Sequence, residues 1–298
     1  PGREGEEQDD GADDLEGPLD DLLHAAELTV EAAMTPRTID RRELLRTLGA
    51  AFAAAPLGHL VGCGGGMRTG GGGAADAGAW ATGGTASMTG KASYPNPFSG
   101  APTSGCSATG ALTGGPCYDA ASQSLQDISY GQNGLPMRMY FRVLDASCTP
   151  VAGVQVEVWH TAPTGKYSGD DTAHENVSFC TGNDADYVSH LYFRGKQTTD
   201  ASGVVVFDTC FPGWYSGRTV HVHFTVTSGS TAFTSQYVFD DALDDAIIGT
   251  QPVYGARGTR DTTNLTDTVV SASDYTRFLF QTQPMTDGAM LAWGTITL

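Results

Sequence analysis

Met137, Met139, Phe141 and Val143 alternate with Arg138, Tyr140 and Arg142, and this period of two predicts a strand with one buried face. Asp145 and Pro150 supply turn chemistry after it, and Val154, Val156 and Val158 then alternate with Gln155, Glu157 and Trp159. Further along, Val220, Val222, Phe224 and Val226 alternate with His221, His223 and Thr225. A short apolar run at 204–207 is opened by the turn Asp200-Ala201-Ser202-Gly203, and 233–239 and 290–298 read as further strands. No segment of this region offers a long helical period. Several short strands joined by Gly, Pro and Asp turns predict an all-β fold, a β-sandwich, over residues 106–298.

The rest of the chain has a different composition. Residues 1–33 hold twelve acidic side chains and one basic one, so this prefix carries 11 of the 18 net negative charges. It has no aromatic residue and too little apolar surface to offset its ordering entropy, which predicts disorder. Met34 offers a natural translation start after this prefix. Residues 34–62 open with charge, contain Arg41-Arg42, continue through a moderately apolar stretch, and end Leu60-Val61-Gly62 before Cys63. This order of parts resembles a twin-arginine signal peptide ending in a bacterial lipobox, which implies export and a membrane lipid anchor at Cys63. Residues 62–90 include twelve glycines, and the whole of 63–105 is expected to be a flexible linker. No apolar run reaches the roughly 18 residues of a membrane span. No basic stripe is present, which argues against a nucleic-acid partner.

Side chains two apart on a strand share a face, so His221 and His223 lie side by side while the opposite face of their strand is apolar. A His-x-His pair of this kind serves zinc, copper and iron sites in unrelated folds. The residues around it narrow the choice. Val156-Glu157-Val158-Trp159, then Gly165-Lys166-Tyr167, then Pro212-Gly213-Trp214-Tyr215, and Arg218 followed by His221 and His223 stand in that order. Together with the run from Tyr192 to Thr209 they resemble the intradiol ring-cleavage dioxygenases, the family of protocatechuate 3,4-dioxygenase and catechol 1,2-dioxygenase.

The resemblance covers residues 106–298 and implies a non-haem enzyme with one Fe(III) per chain, held by Tyr167, Tyr215, His221 and His223. Two phenolates beside two neutral imidazoles suit a trivalent ion better than a divalent one. The implied substrates are a catechol-type aromatic diol and O2, with ring cleavage between the hydroxyl-bearing carbons to a muconate-type product. Tyr215 is then also a catalytic residue that takes a substrate proton, Arg218 faces the bound ring, and Gln236 assists Arg218. His160, His174 and His190 match no ligand position and read as structural or exposed. The helical N-terminal segment that catechol 1,2-dioxygenases carry is replaced here by a signal and a tether, so the match is closer to an exported, single-domain branch.

With Cys63 assigned to lipid, Cys106, Cys117, Cys148, Cys180 and Cys210 remain, and an exported domain should pair most of them, leaving one out. Cys180 with Cys210 is the first expectation, since they flank the second ligand loop, and Cys117 then has Cys106 or Cys148. Two other readings exist. A catalytically silent secreted β-sandwich could bind aromatic or polysaccharide material through its exposed aromatics, and a zinc or copper protein could use only the histidine pair. Metal analysis separates all three.

Overall fold

The structure, a computed structural model, describes residues 80–101, 106–120, 123–169 and 176–298. Two four-stranded sheets form the domain. Strands β1 (Pro136–Leu144), β4 (Val204–Cys210), β7 (Gln281–Pro284) and β8 (Met290–Thr297) make the first, in the order β4-β1-β8-β7. Strands β2 (Gln155–Trp159), β3 (Arg194–Thr198), β5 (His221–Ser228) and β6 (Thr231–Val238) make the second, in the order β3-β2-β5-β6. All neighbours are antiparallel except β1 and β8, which run parallel.

The alternation read from the sequence sets the layers. Met137, Met139, Phe141 and Val143 of β1 meet Val156, Val158, Val222, Phe224 and Val226 of the second sheet in one buried cluster. The rings of Phe141 and Phe224 lie 5.7 Å apart across the sandwich. With the apolar side of β5 committed to this core, His221 and His223 face the opposite side of the sheet.

Two strands and a helix go beyond the sequence reading. β3, an edge of the second sheet with the sequence Arg-Gly-Lys-Gln-Thr, has no apolar alternation to announce it, and β7, Gln-Thr-Gln-Pro at an edge of the first sheet, has none either. Helix α3 (Asp241–Thr250) follows two short helices, α1 (Val177–Thr181) and α2 (Ala185–Ser189), and precedes α4 (Pro252–Gly255). Asp240 caps α3 by accepting from the N–H groups of Ala242 and Leu243, and only Ile247 and Ile248 supply buried apolar side chains. Ten residues with so narrow an apolar stripe carry little periodic signal.

Residues 80–101, expected as part of the 63–105 linker, are instead packed on the domain. Residues 80–101 cover the outer face of the first sheet, because the polar side of β1 gives them cations to pack on. The Arg138 guanidinium lies over the Tyr94 ring at 5.5 Å and that of Arg142 over Phe98 at 5.4 Å. Tyr94 donates to Asp287 at 2.7 Å, Thr85 donates to Asp127 at 2.8 Å, and Trp80 packs against the core. The acidic prefix, the signal, Cys63 and His174 lie outside the described residues.

Candidate metal centre

Two loops and one strand carry the site. β5 presents His221 and His223 on one face. Tyr167 comes from the loop after β2, and Tyr215 from the loop after β4. The two loops meet backbone to backbone, and the motif glycines are what let them. Gly165 has φ of 72°, and a Cβ there would strike the Trp214 carbonyl, while a Cβ on Gly213 would strike the Pro163 carbonyl. Thr161 Oγ1 donates to Gly213 O at 2.6 Å, and Gly213 N donates to Ala162 O at 3.1 Å.

The four side chains predicted as ligands come together. His221 Nε2 and His223 Nε2 are 3.1 Å apart. Tyr167 Oη lies 3.2 Å from each of these nitrogens, and Tyr215 Oη lies 3.4 Å from His221 Nε2. Tyr167, His221 and His223 are 3%, 3% and 2% exposed, whereas Tyr215 is half-buried and opens to solvent.

His221 Nδ1 donates to the Thr219 carbonyl at 2.6 Å, which fixes the tautomer and leaves the Nε2 lone pair facing the other three donors. Burial, with help from the Arg218 charge, pushes the His221 imidazole down to about 3. Burial does the same to His223, well below its ordinary value, so both rings are neutral donors at neutral pH. Burial also raises the Tyr167 phenol well above 10 and raises Tyr215, against the lowering effect of Arg218. A phenol so placed ionises only against a strong cation.

This donor set fits a trivalent metal. Donor separations near 3.3 Å match the edges of a coordination shell with bonds of about 2.0 Å. The chemistry fits as well, since two ionisable phenols beside two neutral nitrogens offset most of a 3+ charge. Among the described residues no group of three or more His, Cys, Asp or Glu side chains is placed to hold a metal, so a site built without the tyrosines has no further donors of those types to draw on.

Arg218 reaches the site from the turn between Tyr215 and β5. Its Nε donates to Asp267 Oδ2 at 2.9 Å and its Nη2 to Gln236 Oε1 at 2.5 Å. Gln236 stands opposite His223 on β6 and is anchored by donating from Nε2 to Thr113 O at 2.7 Å. Burial opposes the charge on Asp267, but the N–H groups of Val270, Thr219 and Val269, with Arg218, outweigh it and hold the carboxyl below its ordinary range. Asp267 was absent from the sequence reading and carries no motif signal. Arg194 stands inside the run from Tyr192 to Thr209 that carries part of the resemblance but was given no role there, and it lies beneath Tyr167. Trp159 is the register partner of both Arg194 and His223, and its ring stacks on His223 at 4.9 Å with planes 1° apart. A cavity of about 260 Å³ opens beside the tyrosines, lined in part by Tyr167, Phe179, Tyr215, Ser216 and Arg257.

His160 is buried and structural, bonded through Nδ1 to Thr161 O and through Nε2 to Thr209 Oγ1, both at 2.8 Å. His190 is exposed.

Among the described residues the disulfides are Cys106–Cys148 and Cys117–Cys180, with Cys210 free and buried, so the expected Cys180–Cys210 bridge is incorrect. Cys210 ends β4 facing Gly134, in a cluster with Ala162, Tyr192 and Phe193, while Cys180 packs with Trp159 and Tyr167. Flanking one loop in sequence did not bring the two side chains within bonding reach.

Comparison with known proteins agrees with this arrangement. A family model described as "Dioxygenase" matches residues 114–277. A chlorocatechol 1,2-dioxygenase of Pseudomonas sp. (strain P51) is 30% identical over 148 residues, covering 43% of this chain and 52% of that protein. A second chlorocatechol 1,2-dioxygenase, from Pseudomonas putida, is 30% identical over 124 residues, covering 34% and 42%. The chain thus spans about half the length of the curated relatives it matches. Among solved structures, an intradiol ring-cleavage dioxygenase from Tetranychus urticae shares the fold, with a TM-score of 0.56 at 23% identity over 64% of this chain and 94% of that one.

Proposed function

Because this chain belongs to the intradiol ring-cleavage dioxygenase family, we propose that it binds one ferric ion through Tyr167, Tyr215, His221 and His223 and opens catechol-type rings between their hydroxyl-bearing carbons. The observation that carries this reading is the convergence of four buried or half-buried donors, the other three standing 3.1 to 3.4 Å from His221 Nε2.

A ferric ion bound there supplies a chelating template for both substrate oxygens and a sink for the charge of the ionised diol. The protein's own groups do the rest. Tyr215 Oη is the least buried of the four donors and is placed to accept a substrate hydroxyl proton as the diol arrives. Tyr167 and both imidazoles, closed off from solvent, stay in position. The Arg218 guanidinium, clamped by Asp267 and Gln236, offers a fixed positive charge next to Tyr215 and His221, where negative charge grows on the ring carbons as dioxygen adds. The cavity beside Tyr215 is the size of a small, single-ring pocket.

Oxygen uptake by the ferric protein, coupled to a muconate-type product from catechol, protocatechuate or hydroxyquinol, tests the activity. An intact ferric chain that consumes no oxygen with any of these diols would leave the silent β-sandwich as the better reading.

Export and lipid anchorage at Cys63 belong to the same proposal, and two disulfides in the domain support an oxidising compartment. Cys63→Ser should block signal processing and lipid attachment. A wild-type protein recovered from its host without lipid would refute the anchor.

A further inference from the structure

Tyr167 and His223 are each braced from behind by one covalent unit. The backbone N–H of Tyr167 donates to the Cys180 carbonyl at 2.8 Å. Cys180 is bonded to Cys117, with 5.6 Å between their Cα atoms. The Cys117 carbonyl accepts from Arg194 Nη2 at 2.6 Å, and the same guanidinium donates from Nε to the carbonyl of Ser168, beside Tyr167, at 2.8 Å. Arg194 is 1% exposed, and its guanidinium carbon lies 5.9 Å from the centre of the Tyr167 ring.

The unit reaches the histidines as well. Tyr118, next to Cys117, packs edge-on against Trp159 at 4.8 Å, and Trp159 stacks on His223. Gly115 has φ of 71°, and a Cβ there would sit 3.4 Å from the His223 ring, so the same loop closes over that imidazole. Cys106 of the second disulfide, Cys106–Cys148, lines a different cavity, with Phe98, Arg142 and Leu144.

We infer that the Cys117–Cys180 disulfide, with Arg194, is the positioning device for Tyr167 and His223, so that the metal site is fully assembled only when this bridge is closed. The bridge ties the loop over His223 to helix α1 and the Tyr167 backbone. Arg194 fastens both ends to the ladder row that runs Arg194, Trp159, His223, Gln236 across the second sheet. Opening the bridge leaves four ligands in the chain but lets two of them drift.

This inference rests on the ferric reading, and the experiment separates the two. Ferric affinity is measured on the full chain, by the tyrosinate charge-transfer band, for wild type, C117S/C180S and C106S/C148S. Loss of groups that orient ligands from behind typically weakens metal binding about 10- to 100-fold. That loss is expected for C117S/C180S, with C106S/C148S unchanged. Equal affinity in the two double variants overturns the inference, and a wild-type chain that binds no ferric ion overturns the ferric reading and the inference with it.

A second measurement needs no variant and holds even if C117S/C180S fails to fold. Wild-type protein is equilibrated in a poised dithiothreitol buffer with and without Ga(III), a redox-inert trivalent probe. Each reduced bridge takes two electrons and two protons from dithiothreitol, which closes to its cyclic disulfide, and thiol labelling with peptide mass spectrometry reports each pair. Because coupling between sites is reciprocal, Ga(III) should shift the Cys117–Cys180 equilibrium toward the disulfide by the factor that closing the bridge adds to metal affinity. Equal shifts of both bridges, or none, overturn the inference.

Discussion

Asp267→Asn separates the clamp on Arg218 from the charge of Arg218 itself. Asp267 is fully buried and accepts four hydrogen bonds, from Arg218 Nε at 2.9 Å and Thr219 N at 2.8 Å on Oδ2, and from Val269 N and Val270 N at 2.8 Å each on Oδ1. An asparagine keeps one oxygen. If that oxygen stays with Val269 and Val270, the amide NH2 faces two donors, and both bonds on that side are lost. Removing one partner of a buried, hydrogen-bonded charge pair costs about 3–5 kcal/mol, a large part of the roughly 5–15 kcal/mol that holds a domain folded. The urea midpoint should therefore fall steeply while a folded population survives. Arg218 keeps its bond to Gln236 but loses its fixed aim, and misplacing a catalytic group by about 1 Å can cost on the order of a hundredfold in turnover. Ferric binding should be retained, since Asp267 touches no ligand atom. In a cycle with Arg218→Ala, the turnover losses should be non-additive, because Asp267 acts on the rate only through Arg218. Additive losses, or a variant with the wild-type midpoint and rate, would refute the reasoning.

Arg218→Ala alone should keep iron and lose turnover by about a hundredfold to a thousandfold, the usual cost of one preorganised electrostatic donor, and an unchanged rate would return Arg218 to the surface. His160, which is not a ligand, gives an acid-stability test. Burial lowers its imidazole to about 4, outweighing the bond to Thr161, so the unfolded chain binds the proton first and stability falls as pH drops from about 6.5 toward 4. The stability of wild type relative to His160→Gln, from urea melts, should shrink by about 3 kcal/mol between pH 7 and pH 4, and a difference independent of pH would contradict this.

Periodicity and fixed spacing carried what was legible in the sequence. The alternation in β1, β2 and β5 was enough to place the core side of each strand and therefore the outward side on which His221 and His223 lie. Gly165 and Gly213 entered the sequence reading only as motif residues of the resemblance, and the structure shows what they do, which is to let the two ligand loops meet backbone to backbone. The partnership of Arg218 with Gln236, which the family resemblance implied, is found as a hydrogen bond. Long-range partners without a motif were invisible. Asp267 lies 49 residues from Arg218 in an unremarkable Thr-Asp-Thr, and Arg194, though inside the run from Tyr192 to Thr209, gave no sign of its bonds to Ser168 and Cys117. Cysteine connectivity failed for a related reason, because flanking one loop in sequence says nothing about which cluster a side chain joins, and Cys180 packs with Trp159 and Tyr167 but Cys210 with Ala162, Tyr192 and Phe193. Residues 80–101 looked like tether because their few aromatics are spaced by glycine and small residues. Their partners, Arg138, Arg142 and Asp287, are far away in sequence.

The ferric content and colour of the purified chain test the central claim most directly. The account predicts one ferric ion per chain and a visible tyrosinate-to-iron band, which Tyr167→Phe should weaken together with iron affinity, because one anionic donor is lost and the remaining set suits a trivalent ion less well. His221→Ala or His223→Ala should abolish stable loading. A folded chain with both disulfides formed that stays colourless in ferric iron would contradict it.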